Sequence, residues 1–587
     1  MSIYDYIVIG VYLVFMLTLG PVYKNFSKTA SDYFRGGGGM LWWVVGSSAF
    51  MTTFSAWSFT GGAAKAYETG TFFLILFACN VVALIFMYFF AATKFRQMRI
   101  VTAVEGIRKR YGKTSEQVFT WLPIFFQCIF GGIWLYTVSV FMSGVFGMNV
   151  HAIVLILGAV TITMTLIGGS WAATAGDFVQ MLVVLTITVI MALLVVGHDS
   201  IGGISGLFEK LPAKHFQWTE FARPSVIVFF CVTLLINQVM NMNSMLQGAA
   251  RYVFVKDGPD ARKAVIISIV GFLTLAPVWM IPALASAVLF PDLGSMYPQL
   301  NNPNEAAYVA IASELLPDGL LGLLVCGIFA ASLTSMNSLL NVSAGPFVRN
   351  FYIQLIDRDA SEAKQILVGR VFMFAYGSIW IIIALMFASL KTLNLFDLIL
   401  LAAASIGLPA ALPLTYGLFV KRTPEWAGWS TMVVGFIVSI IARFTLSHEF
   451  MQSLWGRYEK LNTRELGDLN IAITTAVIFV IGTLWFFFTT RFYKSAPADY
   501  KARVDEFFVE MDTPIDRNPE HEPTCDGDKR QYSVLGNLCL AYGSLITLLL
   551  LIVPNETSDR LLILYCGGFV VLVGVILRRV AKKLSKA

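Results

Sequence analysis

Charge is what this chain has least of. Of its 587 residues only 13% are Asp, Glu, Lys or Arg, while 57% are hydrophobic. A soluble domain carries about 25% charged residues, so a water-soluble globular protein is excluded. Reactive side chains are equally sparse. No plausible nucleophile–base pair and no phosphate-cradling loop can be found, so no enzyme is expected. The seven cysteines are Cys79, Cys128, Cys231, Cys326, Cys525, Cys539 and Cys566. All but Cys525 lie in apolar runs and none forms a C-x-x-C pair, which leaves neither a disulfide framework nor a thiolate metal site. No basic region precedes the first apolar run and no small-residue cleavage site follows it, so it reads as a first span rather than a signal peptide. The net charge of +6 lies beside apolar runs and points to no nucleic-acid partner.

What the chain does have is apolar runs of bilayer length. About fifteen recur, near 4–20, 40–60, 71–91, 117–144, 150–168, 171–196, 224–248, 264–290, 318–346, 365–389, 394–419, 426–446, 470–490, 533–553 and 560–578. The expected fold class is all-α, a polytopic protein of the lipid bilayer. Basic residues crowd the loops 92–115 and 250–263 and the end of the chain, whereas loop 291–318 carries Asp292, Glu305, Glu314 and Asp318. The positive-inside rule then places the N-terminus outside and the C-terminus in the cytoplasm of a plasma (cell inner) membrane. The segment 491–532, polar and holding four prolines, reads as a mobile cytoplasmic linker.

Four stretches break the apolar pattern. Gly46–Gly70 is crowded with Ser47, Ser48, Thr52, Thr53, Ser55, Ser58 and Thr60. Carbonyls released from a helix inside a bilayer need partners or a water-filled cavity, so this span reads as a helix allowed to unwind toward a cation. Small and hydroxyl residues also serve close helix packing, and the stretch alone does not separate the two. Asp177 is the sole charged residue between Glu116 and His198. A carboxylate at bilayer depth costs at least about 2.5–3.5 kcal/mol and is a functional candidate, unless it is a helix-start acid favoured by the dipole. Run 224–248 holds Asn237, Gln238, Asn241, Asn243 and Gln247, which either line a cavity or pair across helices. In 327–345, Ala331, Thr334 and Ser335 share one helical face. Their oxygens suit a small alkali cation, and their size suits packing.

Polar, interruptible spans open two groups of five, 40–196 and 224–419. Five is odd, so the second group enters from the opposite side, the pattern of a secondary transporter with inverted repeats. The expected division is a first span and cytoplasmic loop (1–39), the first repeat (40–196), an extracellular loop (197–223), and the second repeat (224–419). Further spans (420–490), the linker (491–532), and two final spans with a basic tail (533–587) follow.

Three motifs carry a resemblance. S-A-W-S-F-T-G-G-A-A-K-A-Y-E-T-G (Ser55–Gly70) matches S-A-x-x-x-x-G-x-x-x-x-x-Y-x-x-G. W-A-A-T-A-G-D-F-V-Q (Trp171–Gln180) matches W-x-x-x-x-x-D-x-x-Q. A-S-L-T-S-M-N-S-L-L-N (Ala331–Asn341) is similar to a serine-rich eighth core helix. Over about residues 1–490 the chain resembles the sodium/solute symporter family of sodium/sugar, sodium/proline and sodium/pantothenate carriers. The resemblance implies a LeuT-like fold and a sodium ion held by the carbonyls of Met51, Phe54 and Ala331 and the hydroxyls of Thr334 and Ser335. It also implies Asp177 as a second sodium site or exit path. The sugar branch places a Glu-Gln pair where Trp57 and Ser58 stand here, so sugar is not implied. The expected solute is a small polar organic molecule (sugar, sugar acid, amino acid or carboxylate), lined by Trp57, Ser58, Asn237, Gln238 and Asn241. A membrane solute sensor on the same fold is the alternative; only Lys and Arg residues follow the last span, where such a sensor carries a kinase or output domain. An ion channel would need repeated charged rings, and the interior shows one acid.

Overall fold

The computed structural model describes residues 1–23, 38–53, 55–100, 102–167, 170–216, 218, 222–390, 395–455, 460–515, 525–553 and 556–585. Helices dominate. Among the described residues the only β contact is a parallel bridge between Met40 and Val255. Eleven helices there are long and apolar enough to cross a membrane. That is fewer than the fifteen runs. The run 40–60 is cut in two, so its first half spans only Trp42–Thr53. The apolar parts described at Ile3–Tyr12 and Val150–Thr163 are shorter than a span.

The site is built by eight helical segments. α1 is Ile3–Tyr23. α2 is Trp42–Thr53, and its continuation passes through a π turn at Ser58–Gly62 into α3, Ala63–Thr69. α4 is Ser170–Gly197. α5 (Pro224–Met242) is followed after a two-residue break by α6, Met245–Tyr252. α2 packs against α4 and against α7, Gly258–Leu289. α8, Leu320–Pro346, crosses behind the break in α2. The span of α8 is 94% buried against 33% for the span Glu362–Ser389, so α8 is central and the latter faces lipid. Phe444, Phe125 and Leu484 are more than 60% exposed. Left in water, each such side chain would forfeit roughly 1.5–3 kcal/mol; a bilayer removes that cost.

Two further features matter. α9, Leu395–Ala402, leads through a π turn at Ala403–Gly407 into α10, Leu408–Tyr416. At the chain's end α12 (Cys525–Ile552) and α13 (Thr557–Leu584) form a tight antiparallel hairpin. Glycines let the backbones touch there: a Cβ on Gly543 would lie 2.9 Å from the Gly567 carbonyl, and one on Gly574 would lie 3.0 Å from that of Gly536.

The expected linker differs from expectation. Within 491–532 a helix, α11, runs over Ala498–Asp512. Tyr500, Val504, Phe507 and Met511 are buried, an i, i+4, i+7, i+11 stripe hidden among charges. Ion pairs fasten it: Lys109–Glu510 at 2.8 Å, Lys421–Asp505 at 2.8 Å and Arg503–Glu425 at 3.3 Å.

Candidate functional site

α2 ends at Thr53, and the Ala56 amide, four residues past Thr52, bonds a side chain of α8. The backbone bends at Ser55 and becomes helical again from Ala56. α8 fills the gap with hydroxyls. Ser332 Oγ accepts the Ala56 amide at 3.1 Å and donates to the Ile328 carbonyl at 2.9 Å. Ser335 Oγ lies 3.4 Å from the Thr52 carbonyl and 3.2 Å from that of Ala331. Ser55, Ala56, Trp57, Trp134, Thr137, Ser332 and Ser335 enclose a cavity of about 10 Å³, near the room one water needs. This is a cluster of neutral carbonyl and hydroxyl oxygens at a helix break, the donor set that unwound membrane helices offer a sodium ion.

Of the residues expected to hold the ion, Met51 and Ala331 are buried on the facing helices. Ser335 meets the Thr52 carbonyl, one residue past Met51. Thr334 sits on α8 beside it, but its side chain and the whole of Phe54 lie outside the described residues. Ser332 and the Thr52 carbonyl were not among the expected ligands, though Thr52 belongs to the hydroxyl-rich stretch. The signal for Ser332 was its place in the same hydroxyl-rich turn.

Asp177 is fully buried. Ser48 Oγ donates a short hydrogen bond to its Oδ2. Arg251, on α6, donates to that same Ser48 Oγ at 2.8 Å and to Thr52 Oγ1 at 2.9 Å. Ser48 and Thr52 are one turn apart on one face of α2. A guanidinium is therefore built in opposite the carboxylate, across one hydroxyl. Gln180, three residues on, donates to Tyr12 on α1 at 3.2 Å.

The opposite side of the break is roofed by rings. Trp57 stacks on Phe396 with centroids 5.7 Å apart, and Phe73 lies 6.2 Å from Trp57. Phe73 in turn meets Trp279, which stacks on Tyr308. Gly61 lets the rings sit close there: a Cβ would lie 3.0 Å from the Phe396 amide nitrogen and from Trp57 Nε1. Lys65 sits 4.8 Å over the Phe396 ring and 3.8 Å from Asp397. Glu305, in the loop before α8, accepts the Leu395 amide at 3.0 Å. Burial, with Glu68 nearby, pushes its carboxyl up to about 8, against the pull of that amide.

Two of the carboxamides pair along α5. Asn241 Nδ2 donates to the Asn237 carbonyl at 3.0 Å and to Asn237 Oδ1. A Cβ on Gly407 would lie 2.6 Å from Asn241 Oδ1. Gly407 is eleven residues past Phe396, about 16 Å along the helix. Asn241 and Trp57 therefore meet different levels of α9–α10. Gln238 is partly buried and Ser58 is buried within the π turn.

A broken helix, a neutral oxygen cluster at the break, and closures on either side define an integral membrane transporter. The family model described as "Sodium:solute symporter family" matches residues 33–435. The chain belongs to that family, and its function is sodium-coupled symport of small solutes. The sodium/sialic acid symporter SiaT of Proteus mirabilis is 26% identical over 445 residues, covering 75% of this chain and 88% of that protein. The human sodium/myo-inositol cotransporter 2 is 26% identical over 489 residues, covering 76% and 70%. Among solved structures, a substrate-bound, outward-open Na+-coupled sialic acid symporter aligns with a TM-score of 0.63. It is 23% identical and the match covers 82% of this chain and 98% of that one. The fold is that of the LeuT-like transporters.

Proposed function

We propose that this symporter imports a small polar organic solute by alternating access, with a sodium ion held between α2 and α8. The carbonyl of Thr52 beside Ser335 Oγ carries the reading. Ligands for the ion are the carbonyls of Met51, Phe54, Thr52 and Ala331 and the hydroxyls of Thr334 and Ser335. The ion moves with the solute and is a substrate rather than a resident cofactor. The solute lies beneath the ring of Trp57, between it and Asn237, beside Ser58, with Gln238 and Asn241 toward the opposite end. Relatives whose names carry sialic acid and myo-inositol support a polar, ring-sized cargo.

The proposed orientation places the N-terminus outside and the C-terminus in the cytoplasm of the plasma membrane. The basic loops cluster at one end: Arg96 donates to the Val255 carbonyl at 2.6 Å, Arg110 to that of Val420 at 2.7 Å, and Lys109 pairs with Glu510. A cluster of that sign faces the cytoplasm. On this reading Arg251 and Asp177 close the inner side, and Lys65, Asp397 and Glu305 the outer.

Neutral ligands leave the ion's charge uncompensated, so symport with a neutral solute carries current. Each ion gains about 2.3 kcal/mol per 100 mV and about 1.4 kcal/mol per tenfold gradient. One ion thus supports roughly several-hundred-fold accumulation. The test is uptake of a panel of radiolabelled sugars, sugar acids, amino acids and carboxylates into proteoliposomes, with and without a sodium gradient. Uptake of one panel member that rises with the gradient and with an inside-negative potential is expected. Equal uptake in potassium and sodium, following pH instead, would refute it. Saturable binding without any uptake would favour a sensor.

A further inference from the structure

The hairpin α12–α13 begins at Cys525, ninety residues beyond the end of the family match at 435. Yet it grips the start of the broken helix. The side chain of Gln531 is buried and bonds the backbone just before α2 at two points. Its Oε1 accepts the Leu41 amide at 3.1 Å and its Nε2 donates to the Gly39 carbonyl at 2.9 Å. The next residue, Tyr532, accepts from Trp43 Nε1 at 3.3 Å. One turn earlier Asp528 pairs with Lys256 at 2.5 Å. On its other edge the same short segment is held by Met40, whose amide donates to the Phe254 carbonyl at 3.0 Å. Gly39–Leu41 is thus an extended strip clamped between the end of α6 and α12. Farther along the hairpin, Tyr542 stacks on Phe15 of α1 at 4.5 Å and lies 6.0 Å from Tyr12. Tyr12 in turn holds Gln180 on α4.

α2 supplies the Thr52 carbonyl to the proposed ion site and presents Ser48 and Thr52 to Arg251. For the inner side to open, α2 must leave Arg251 and α8, and the strip ahead of it is the lever. We propose that Gln531 is a positioning residue for α2: through it the C-terminal hairpin holds the first half of the broken helix in place and so sets how readily the inner side opens. A glutamine suits this role because one neutral side chain satisfies an amide and a carbonyl together. An alanine there would leave both without that partner.

The proposal rests on the reading of α2 as the inner closure, and its test separates the two. The full chain in lipid nanodiscs is compared with Gln531→Ala and Gln531→Glu by hydrogen–deuterium exchange, first without sodium and then across a sodium titration at constant ionic strength. In sodium-free buffer, Gln531→Ala should exchange about fivefold to hundredfold faster over residues 39–53, the range set by loss of two neutral hydrogen bonds, while residues 74–97 are unchanged. Gln531→Glu keeps the acceptor for the Leu41 amide and should recover part of the protection. The sodium concentration that half-protects 39–53 should rise in Gln531→Ala, by at most the same factor, since apparent affinity scales with the population of the competent state. Exchange over 39–53 equal to the parent's, or an acceleration spread evenly over 74–97, overturns the proposal. Failure of sodium to protect 39–53 in the parent would instead count against the ion site, and the sodium-free comparison would still decide on Gln531.

Discussion

Replacing Arg251 by Gln should turn Asp177 from a partner of guanidinium into a partner of sodium. Arg251 donates to Ser48 Oγ at 2.8 Å, and Ser48 donates to Asp177. Two hydrogen bonds through one hydroxyl leave the charges about 5 Å apart. At an effective dielectric constant near 20 that is about 3 kcal/mol, a factor above one hundred. Arg251→Gln removes the cation opposite the carboxylate; Asp177→Asn removes the anion opposite the guanidinium; the double variant removes both. Thermal unfolding of the purified protein reads the cycle. Each single substitution should lower the midpoint, and the double should lower it by less than the sum. A second readout separates structure from ion chemistry. Sodium chloride, compared with choline chloride at equal ionic strength, should stabilise Arg251→Gln more than the parent, because a buried carboxylate no longer faced by a guanidinium recruits the ion. The gain should vanish in the double variant. Additive midpoints, with a sodium response the same in all four proteins, would show that Arg251 and Asp177 do not sense each other.

Ser335→Ala should raise the sodium concentration for half-maximal uptake about tenfold to hundredfold while membrane abundance holds, since an unmet polar partner costs about 1–3 kcal/mol; unchanged sodium activation would return Ser335 to packing. Glu305 binds its proton more tightly in the closed outer side than it would exposed. The closed form should therefore weaken as pH rises from the ordinary carboxylate range to about 8, and change no further above it; Glu305→Gln should flatten this dependence in accessibility labelling of a cysteine placed at Asp397, and an unaltered profile refutes the assignment.

Much of the fold was legible because a bilayer permits few solutions. Apolar runs of span length must be helices, and a run as rich in hydroxyls as Gly46–Gly70 cannot be a plain anchor. The helical spacing of Ala331, Thr334 and Ser335 puts them on one face, since that follows from 3.6 residues per turn alone. Asp177 was legible as a charge out of place. Its counter-charge was not: Arg251 counted as one basic residue among several in a loop, and nothing local says that α6 turns it inward onto α2. The pairing of Asn237 with Asn241 follows from i, i+4 spacing, but the helix they face is a tertiary fact. The same holds for Gln531, 490 positions from Leu41. α11 was missed because charge content outweighed a four-residue apolar stripe.

The proposed ion site and the inner closure meet at a single residue. Thr52 offers its carbonyl to Ser335 on α8 and its hydroxyl to Arg251 on α6. An ion bound between the Thr52 carbonyl and Ser335 ties α2 to α8. Movement of α2 away from α8 stretches that contact beyond 3.4 Å and, through the same residue, separates Thr52 from the guanidinium. Release of the ion inward and opening of the inner side are then one displacement seen from two faces of one turn. The converse also follows. While the ion is bound, the arrangement that Arg251 favours is reinforced, and a ligand shifts such an equilibrium only by its differential affinity for the two states. Coupling therefore does not require a long-range relay. It requires that α2 be interrupted at Ser55, so that its first half can move while the second, tied by Ala56 to Ser332, stays with α8.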